Sequence, residues 1–270
     1  MTKYVKYKVK YMGEFFGKPT FGTPQGVYSW QHLLYVSFLM VVMVLLAIFI
    51  GIKCKNKDDK SKNLVLIWCA FLINGFEMFK FAFNLGASPD GASWKEDLPL
   101  YLCRVQLIAI PLAAFCKGRL KEAALDFVVV FGIIGATLGT LGSTENFNKY
   151  PVLSFYNIIT GITHSISGFA SLYIMISKMD SMKLKNWPIV ITVLLSVCGL
   201  ALIANAAFNE NYMFLSYHDD TPYIIVHNMV GGISVLYKIL VILLFVIYYF
   251  AFVYMYNLIK SKINQKTLVK

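Results

Sequence analysis

The side chains of this 270-residue chain that can do chemistry are few. Glu77 and Lys80 stand three apart, Cys103 and Arg104 are adjacent, and His164 follows much later. A thiol and an imidazole are the parts of a nucleophile–base pair, and an ammonium with a guanidinium can hold an anion. Each residue also has a plainer use. Glu77 can simply neutralise Lys80 or Arg104, His164 can make an interhelical hydrogen bond, and Cys103 can be a small packing residue. The elements that carry these residues decide whether they meet.

Those elements are apolar runs at 32–52, 63–85, 98–116, 123–142, 153–177 and 187–207, with a seventh ending near 258. Each is close to the ~20 residues that a spanning helix needs. The connections between them alternate in charge. Lys53, Lys55, Lys57, Lys60 and Lys62 follow the first run, and Lys117, Arg119 and Lys121 follow the third. Lys178, Lys183 and Lys185 follow the fifth, and Lys260, Lys262, Lys266 and Lys270 the last. The other connections hold only Lys95 and Lys149 among Asp90, Glu96, Asp97, Glu145, Glu210, Asp219 and Asp220. Basic loops stay cytoplasmic. The pattern predicts an all-α, polytopic membrane protein: a seven-transmembrane-helix bundle with its N-terminus outside and its C-terminus cytoplasmic. Residues 1–30 form a basic, aromatic arm at the outer surface, 31–260 the transmembrane domain, and 261–270 a basic tail.

Composition points the same way. At 58% hydrophobic and 14% charged residues, the chain is not an ordinary soluble domain. The net charge of +11 lies in short cytoplasmic loops, so it speaks for anionic inner-leaflet lipid and topology rather than nucleic acid. No cleavable signal peptide is visible, and the first helix serves as its own insertion signal. Five cysteines with no extracellular pair argue against a disulfide framework. No metal-ligand, phosphate-loop or dinucleotide pattern occurs, so no cofactor or metal is implied.

On this topology the reactive groups converge in the outer half. Glu77 and Lys80 share one face of the second helix. Cys103 and His164 lie ~8 and ~12 Å below the outer boundary at about 1.5 Å per residue, close enough for side chains to meet if their helices are neighbours. His32, His218 and His227 also fall at the outer side. Asp126 reads as a structural charge near the start of the fourth helix, and Lys238 as a snorkelling side chain. Gly132, Gly135, Gly139 and Gly142 read as close helix-packing sites. Residues 4–11 alternate like a strand. The run from Pro222 to Tyr256 is too long for one span, so it should break at Gly231–Gly232 and leave 222–232 as a cap on the outer side.

At these positions the sequence resembles a known family. Leu98-Pro99-Leu100-Tyr101-Leu102-Cys103 looks like the LPLHLC signature of the YwaF-type bacterial integral membrane proteins. Phe131-Gly132-Ile133-Ile134-Gly135, the segment Pro151 to His164, and Asn211-Tyr212-Met213-Phe214-Leu215 resemble three further motifs of that family, in order. Through it the chain is similar to the eukaryotic transmembrane protein 164 family, and distantly to androgen-induced membrane hydrolases. The resemblance implies a bacterial plasma-membrane phospholipid acyltransferase or acyl hydrolase. In it Cys103 carries the acyl group and His164 is the base. By their own chemistry Arg104 and Lys80, with Glu77 beside them, can hold the lipid phosphate, Asn211 or Tyr212 can donate to the oxyanion, and His227 joins the substrate-binding candidates on the outer side. The partners are then membrane phospholipids as donor and acceptor.

Three other readings stand beside it. A microbial rhodopsin would need a lysine near mid-membrane and an acidic counter-ion, whereas Lys238 falls at the outer boundary. A transporter of small solutes or lipids would use the outer polar cavity as a vestibule. A non-catalytic lipid-binding membrane protein would differ from the enzyme in leaving Cys103 unacylated.

Overall fold

The computed structural model describes residues 23–87, 94–95, 98–180, 182–218 and 221–268. The alternating segment 4–11 lies outside them. Among the described residues the chain folds into helices alone: α1 (Trp30–Cys54), α2 (Asp59–Ala87), α3 (Gln106–Phe115), α4 (Gly118–Leu141), α5 (Thr144–Lys149), α6 (Phe155–Ile176), α7 (Trp187–Phe208), α8 (Ile224–Met229) and α9 (Ser234–Leu268). Single 3-10 turns occur at Leu184–Asn186 and Tyr212–Phe214. Six helices, α1, α2, α4, α6, α7 and α9, are long and apolar enough to cross a membrane. Their outward faces carry exposed Leu34, Phe38 and Phe49 on α1, Leu200 and Ile203 on α7, and Tyr254 on α9. In water such a surface would aggregate, but against lipid tails it costs nothing. The chain is an integral membrane protein.

Helix α6 packs against α1, α2 and α4. Lipid is as apolar as leucine, so helices in a membrane associate by close packing rather than by the hydrophobic effect. Gly168 lets Met43 of α1 and Ala136 of α4 approach α6, and a Cβ there would lie 2.4 Å from the Met43 sulfur. Gly132 of α4 meets the backbone of Ser167, where a Cβ would lie 2.8 Å from the carbonyl oxygen. The Ser171 hydroxyl donates across the same seam to the Val129 carbonyl at 2.7 Å.

The third apolar run differs from the full spanning helix that its length suggests. Only Gln106–Phe115, 10 residues or about 15 Å, is α-helix. Ahead of it the chain is wound in turns, with the Arg104 N–H donating to the Tyr101 carbonyl at 2.9 Å and the Gln106 N–H to the Cys103 carbonyl at 3.4 Å. Pro111 sits inside α3 and cannot donate to the carbonyl of Leu107. Asn74 of α2 fills the gap, donating its Nδ2 to that carbonyl at 3.2 Å. In hydrocarbon a freed backbone group needs such a partner.

At the chain's end, α8 stops before Gly231 and Gly232, whose φ values of 58° and 77° are left-handed. The tail read from residue 261 continues α9 as helix to Leu268. Asp126 is buried and structural, accepting from the Met182 N–H at 2.9 Å and from Asn186 Nδ2 at 2.7 Å. It thereby ties α4 to the connection that enters α7.

The proline–asparagine arrangement predicts a specific rescue. Asn74→Ala leaves the Leu107 carbonyl unpaired and lowers stability by about 1–2 kcal/mol. Adding Pro111→Ala restores an N–H at position 111 and removes most of that loss. Thermal unfolding of the single and double variants in detergent measures both.

Candidate active site

Cys103 lies in the turns that precede α3, and His164 in the first half of α6. Helix α4 supplies the surface on which both rest. Gly135 and Gly139 are four apart and therefore on one face. A Cβ at Gly135 would meet the Cys103 Cβ at 3.5 Å, and a Cβ at Gly139 would lie 2.1 Å from the His164 ring. The sequence suggested generic helix packing for these glycines. Their role is more particular: they leave room for the thiol and the imidazole.

His164 Nδ1 lies 2.8 Å from the Thr160 carbonyl oxygen, one turn earlier on α6. A carbonyl only accepts, so Nδ1 carries the hydrogen and Nε2 of the neutral ring carries the lone pair. Nε2 is sealed from solvent and makes no well-aligned hydrogen bond. The Cys103 side chain is within hydrogen-bonding reach of the ring. Loose geometry between nucleophile and base is common without substrate and tightens when the substrate binds. Both residues are half-buried, lodged in the bundle yet with an edge at its surface.

The charged groups gather around this pair. Lys80 Nζ lies 3.1 Å from Glu77 Oε1, with the lysine side chain only 2% exposed. Thr163 of α6 reaches the same carboxylate oxygen at 3.2 Å. Arg104 lies near enough to act on Glu77 electrostatically, and Lys80 lies 5.2 Å from the centroid of the Tyr156 ring. Arg104 donates to the Leu98 carbonyl at 3.3 Å and stands 5.9 Å from the Tyr101 ring. Glu77, Lys80, Cys103, Arg104 and His164 thus form one neighbourhood, held by α2, α3 and α6 over the glycine face of α4.

The remaining candidates sit elsewhere or are engaged. Asn211 spends its amide on its own loop: Oδ1 accepts from the Ser216 and Tyr217 N–H groups at 3.0 and 3.2 Å, and Nδ2 donates to the Tyr217 carbonyl at 2.9 Å. The Tyr212 hydroxyl donates to the Lys95 carbonyl, and its ring meets that of Tyr101 at 5.5 Å. His227 has ring contacts with His218 and Tyr237, at 5.1 and 5.9 Å. His32 is fully buried and structural, accepting from the Tyr28 N–H at Nδ1 and donating from Nε2 to the Thr140 carbonyl at 3.1 Å. Among the described residues no group of three or more His, Cys, Asp and Glu comes together to hold a metal. An apolar groove between α3, α4 and α7, lined by Val105, Ala109, Leu112, Ala123, Phe127 and Val190, begins two residues beyond Cys103.

The sequence profile of the TMEM164 family matches residues 27–260, a stretch that contains all of these residues. The chain belongs to the TMEM164 family. No curated protein and no solved structure matches it. The geometry of this TMEM164-family protein adds two residues that sequence reasoning did not single out. Thr160 fixes the histidine tautomer, and Gln106 is buried at the start of α3, while Gly139, read in the sequence only as a packing site, makes room for the ring. Only Thr160 had a readable signal, since a residue four before a helical histidine presents its carbonyl to Nδ1.

The fit of the imidazole against Gly139 predicts an asymmetry between glycines. Gly139→Ala should cost about 1–3 kcal/mol because the new methyl displaces a packed ring. Gly75→Ala on α2, where nothing lies within 4 Å of the added Cβ, should be neutral or stabilising. Paired melting curves read the difference.

Proposed function

We propose that this protein is a membrane-embedded lipid acyltransferase or acyl hydrolase that works through an acyl-Cys103 intermediate, with His164 as the base. The observation that carries the reading is a half-buried thiol within reach of an imidazole whose Nδ1 is tied to the Thr160 carbonyl. Membership of the TMEM164 family is compatible with a lipid-related role. In this reading the turns at 98–105 and α3 together complete a seventh crossing. The N-terminus is then outside, the C-terminus cytoplasmic, and the site in the outer half of a bacterial plasma membrane.

The chemistry follows from the two side chains. His164 Nε2 takes the thiol proton as the Cys103 sulfur attacks the ester carbonyl of a phospholipid, and the π electrons move to the carbonyl oxygen. Collapse of that oxyanion breaks the ester C–O bond. The departing lysophospholipid oxygen takes the proton back from His164, which leaves a thioester. An alcohol of a second lipid, or water, then attacks the thioester and gives its proton to Nε2; the C–S bond breaks, and the sulfur takes that proton back to regenerate the thiol. Arg104 and Lys80 hold the phosphate, with Glu77 balancing their charge. Tyr212, whose ring meets that of Tyr101, shapes the neighbouring wall. The apolar groove below Val105 takes the acyl chain.

The test is a covalent adduct. Incubation with phospholipid should give a hydroxylamine-sensitive acyl group on Cys103. The adduct should be absent in Cys103→Ala and Cys103→Ser and strongly reduced in His164→Ala. It should persist when Cys69, Cys116 or Cys198 is changed to Ala. Full lipid turnover by Cys103→Ala would end the covalent mechanism.

A further inference from the structure

Gln106 is fully buried, and neither its Nε2 nor its Oε1 has a hydrogen-bond partner. A primary amide left unpaired in an apolar bundle costs free energy, so its presence calls for a physical reason. Its position supplies one. The Gln106 N–H donates to the Cys103 carbonyl, the Leu107 N–H to Arg104 and the Ile108 N–H to Val105, a run of three-residue spacings. Residues three apart in such a turn share a side of the chain, which puts Gln106 on the side of Cys103. Helical side chains also tilt toward the N-terminal end, and that is the end at which Cys103 stands.

The surroundings favour a use near the reacting sulfur. Ser167 stands three residues beyond His164 on α6, as Gln106 stands three beyond Cys103, and its hydroxyl is likewise buried without a partner. The N–H of Cys103 itself is taken by no backbone carbonyl among the described residues. By contrast, the Asn211 amide and the Tyr212 hydroxyl, the donors suggested by sequence, are engaged in and beside their own loop. Attack of a thiolate on an ester places negative charge on the carbonyl oxygen, close to the sulfur. Stabilising that charge calls for donors already in place and shielded from water.

We propose that the Gln106 carboxamide donates a hydrogen bond from Nε2 to the carbonyl oxygen of the lipid ester, and later of the Cys103 thioester, as each becomes an oxyanion. This assignment rests on the Cys103–His164 reading and gives that site its missing electrophilic residue. In the resting protein Nε2 waits unpaired, and it is satisfied only as the tetrahedral intermediate forms.

The test compares two reactions of the same thiol in the full-length protein in detergent–lipid micelles. Iodoacetamide alkylates a thiolate by direct displacement and generates no oxyanion. Acylation by a phospholipid does. Gln106→Met, of similar shape but without a donor, should leave the alkylation rate of Cys103 within about twofold and slow its acylation by roughly 10²–10³-fold. It should also melt at or above the wild-type temperature, because a buried unpaired amide has been removed. Gln106→Leu should behave alike. Equal loss in both reactions would mean that Gln106 only positions the turn, and unchanged acylation would mean that it serves an ordered water or packing; either overturns the assignment. Absence of any acyl adduct in the wild type, with normal alkylation, would instead remove the Cys103–His164 reading and this inference with it.

Discussion

The hydrogen bond from His164 Nδ1 to the Thr160 carbonyl is the interaction on which this site depends. It fixes the tautomer, so that Nε2 is the nitrogen left able to take a proton. It also holds the ring against α6, and the ring fits there only because Gly139 has no side chain. A side chain added at Gly139 on α4 would therefore displace the imidazole on α6. Cys103 is placed by the same helix through Gly135. Helix α4 is thus the template across which a turn before α3 and a turn of α6 are brought into register.

A membrane interior makes this arrangement demanding. Every polar group without a partner is costly where water is absent. Most of the interior polar groups described here are paired, including Asp126 with the 182–186 connection and Asn74 with the carbonyl that Pro111 frees. Against that background the unpaired atoms are informative. Gln106, His164 Nε2 and Ser167 Oγ occur together on the two elements that carry the thiol and the imidazole. Other buried atoms, such as Asn157 Oδ1 and His218 Nδ1, are also left without a partner, and what sets these three apart is their position beside the thiol and the imidazole in the sequence.

Much of this was legible in the sequence, for physical reasons. Helix limits such as Trp30–Cys54 and Trp187–Phe208 fall close to the apolar runs 32–52 and 187–207, because a spanning helix must be apolar along its whole length. The break at Gly231–Gly232 followed from a run too long for one span together with the glycine pair inside it. The third run misled because an apolar composition does not distinguish a helix from a series of turns, and the turns at 98–105 take the place of the first part of the helix. Glu77, Lys80 and Arg104 were conspicuous as charges in an apolar run. Gln106 was not, since a neutral amide leaves no mark in a charge or hydropathy pattern. Its significance depends on what surrounds it in three dimensions. The glycines of α4 announced close packing, but not that their neighbours would be a thiol and an imidazole.

The most direct test of this account is the protonation state of each nitrogen of His164. It can be read by nitrogen NMR of histidine-labelled protein in lipid bilayers, with His164→Gln used to assign the signals. The account predicts that Nδ1 carries a proton throughout, and that Nε2 is the nitrogen whose signal shifts when Cys103 is changed to Ser. A neutral ring with a bare Nδ1 and a protonated Nε2 would leave no base facing the thiol and would contradict it.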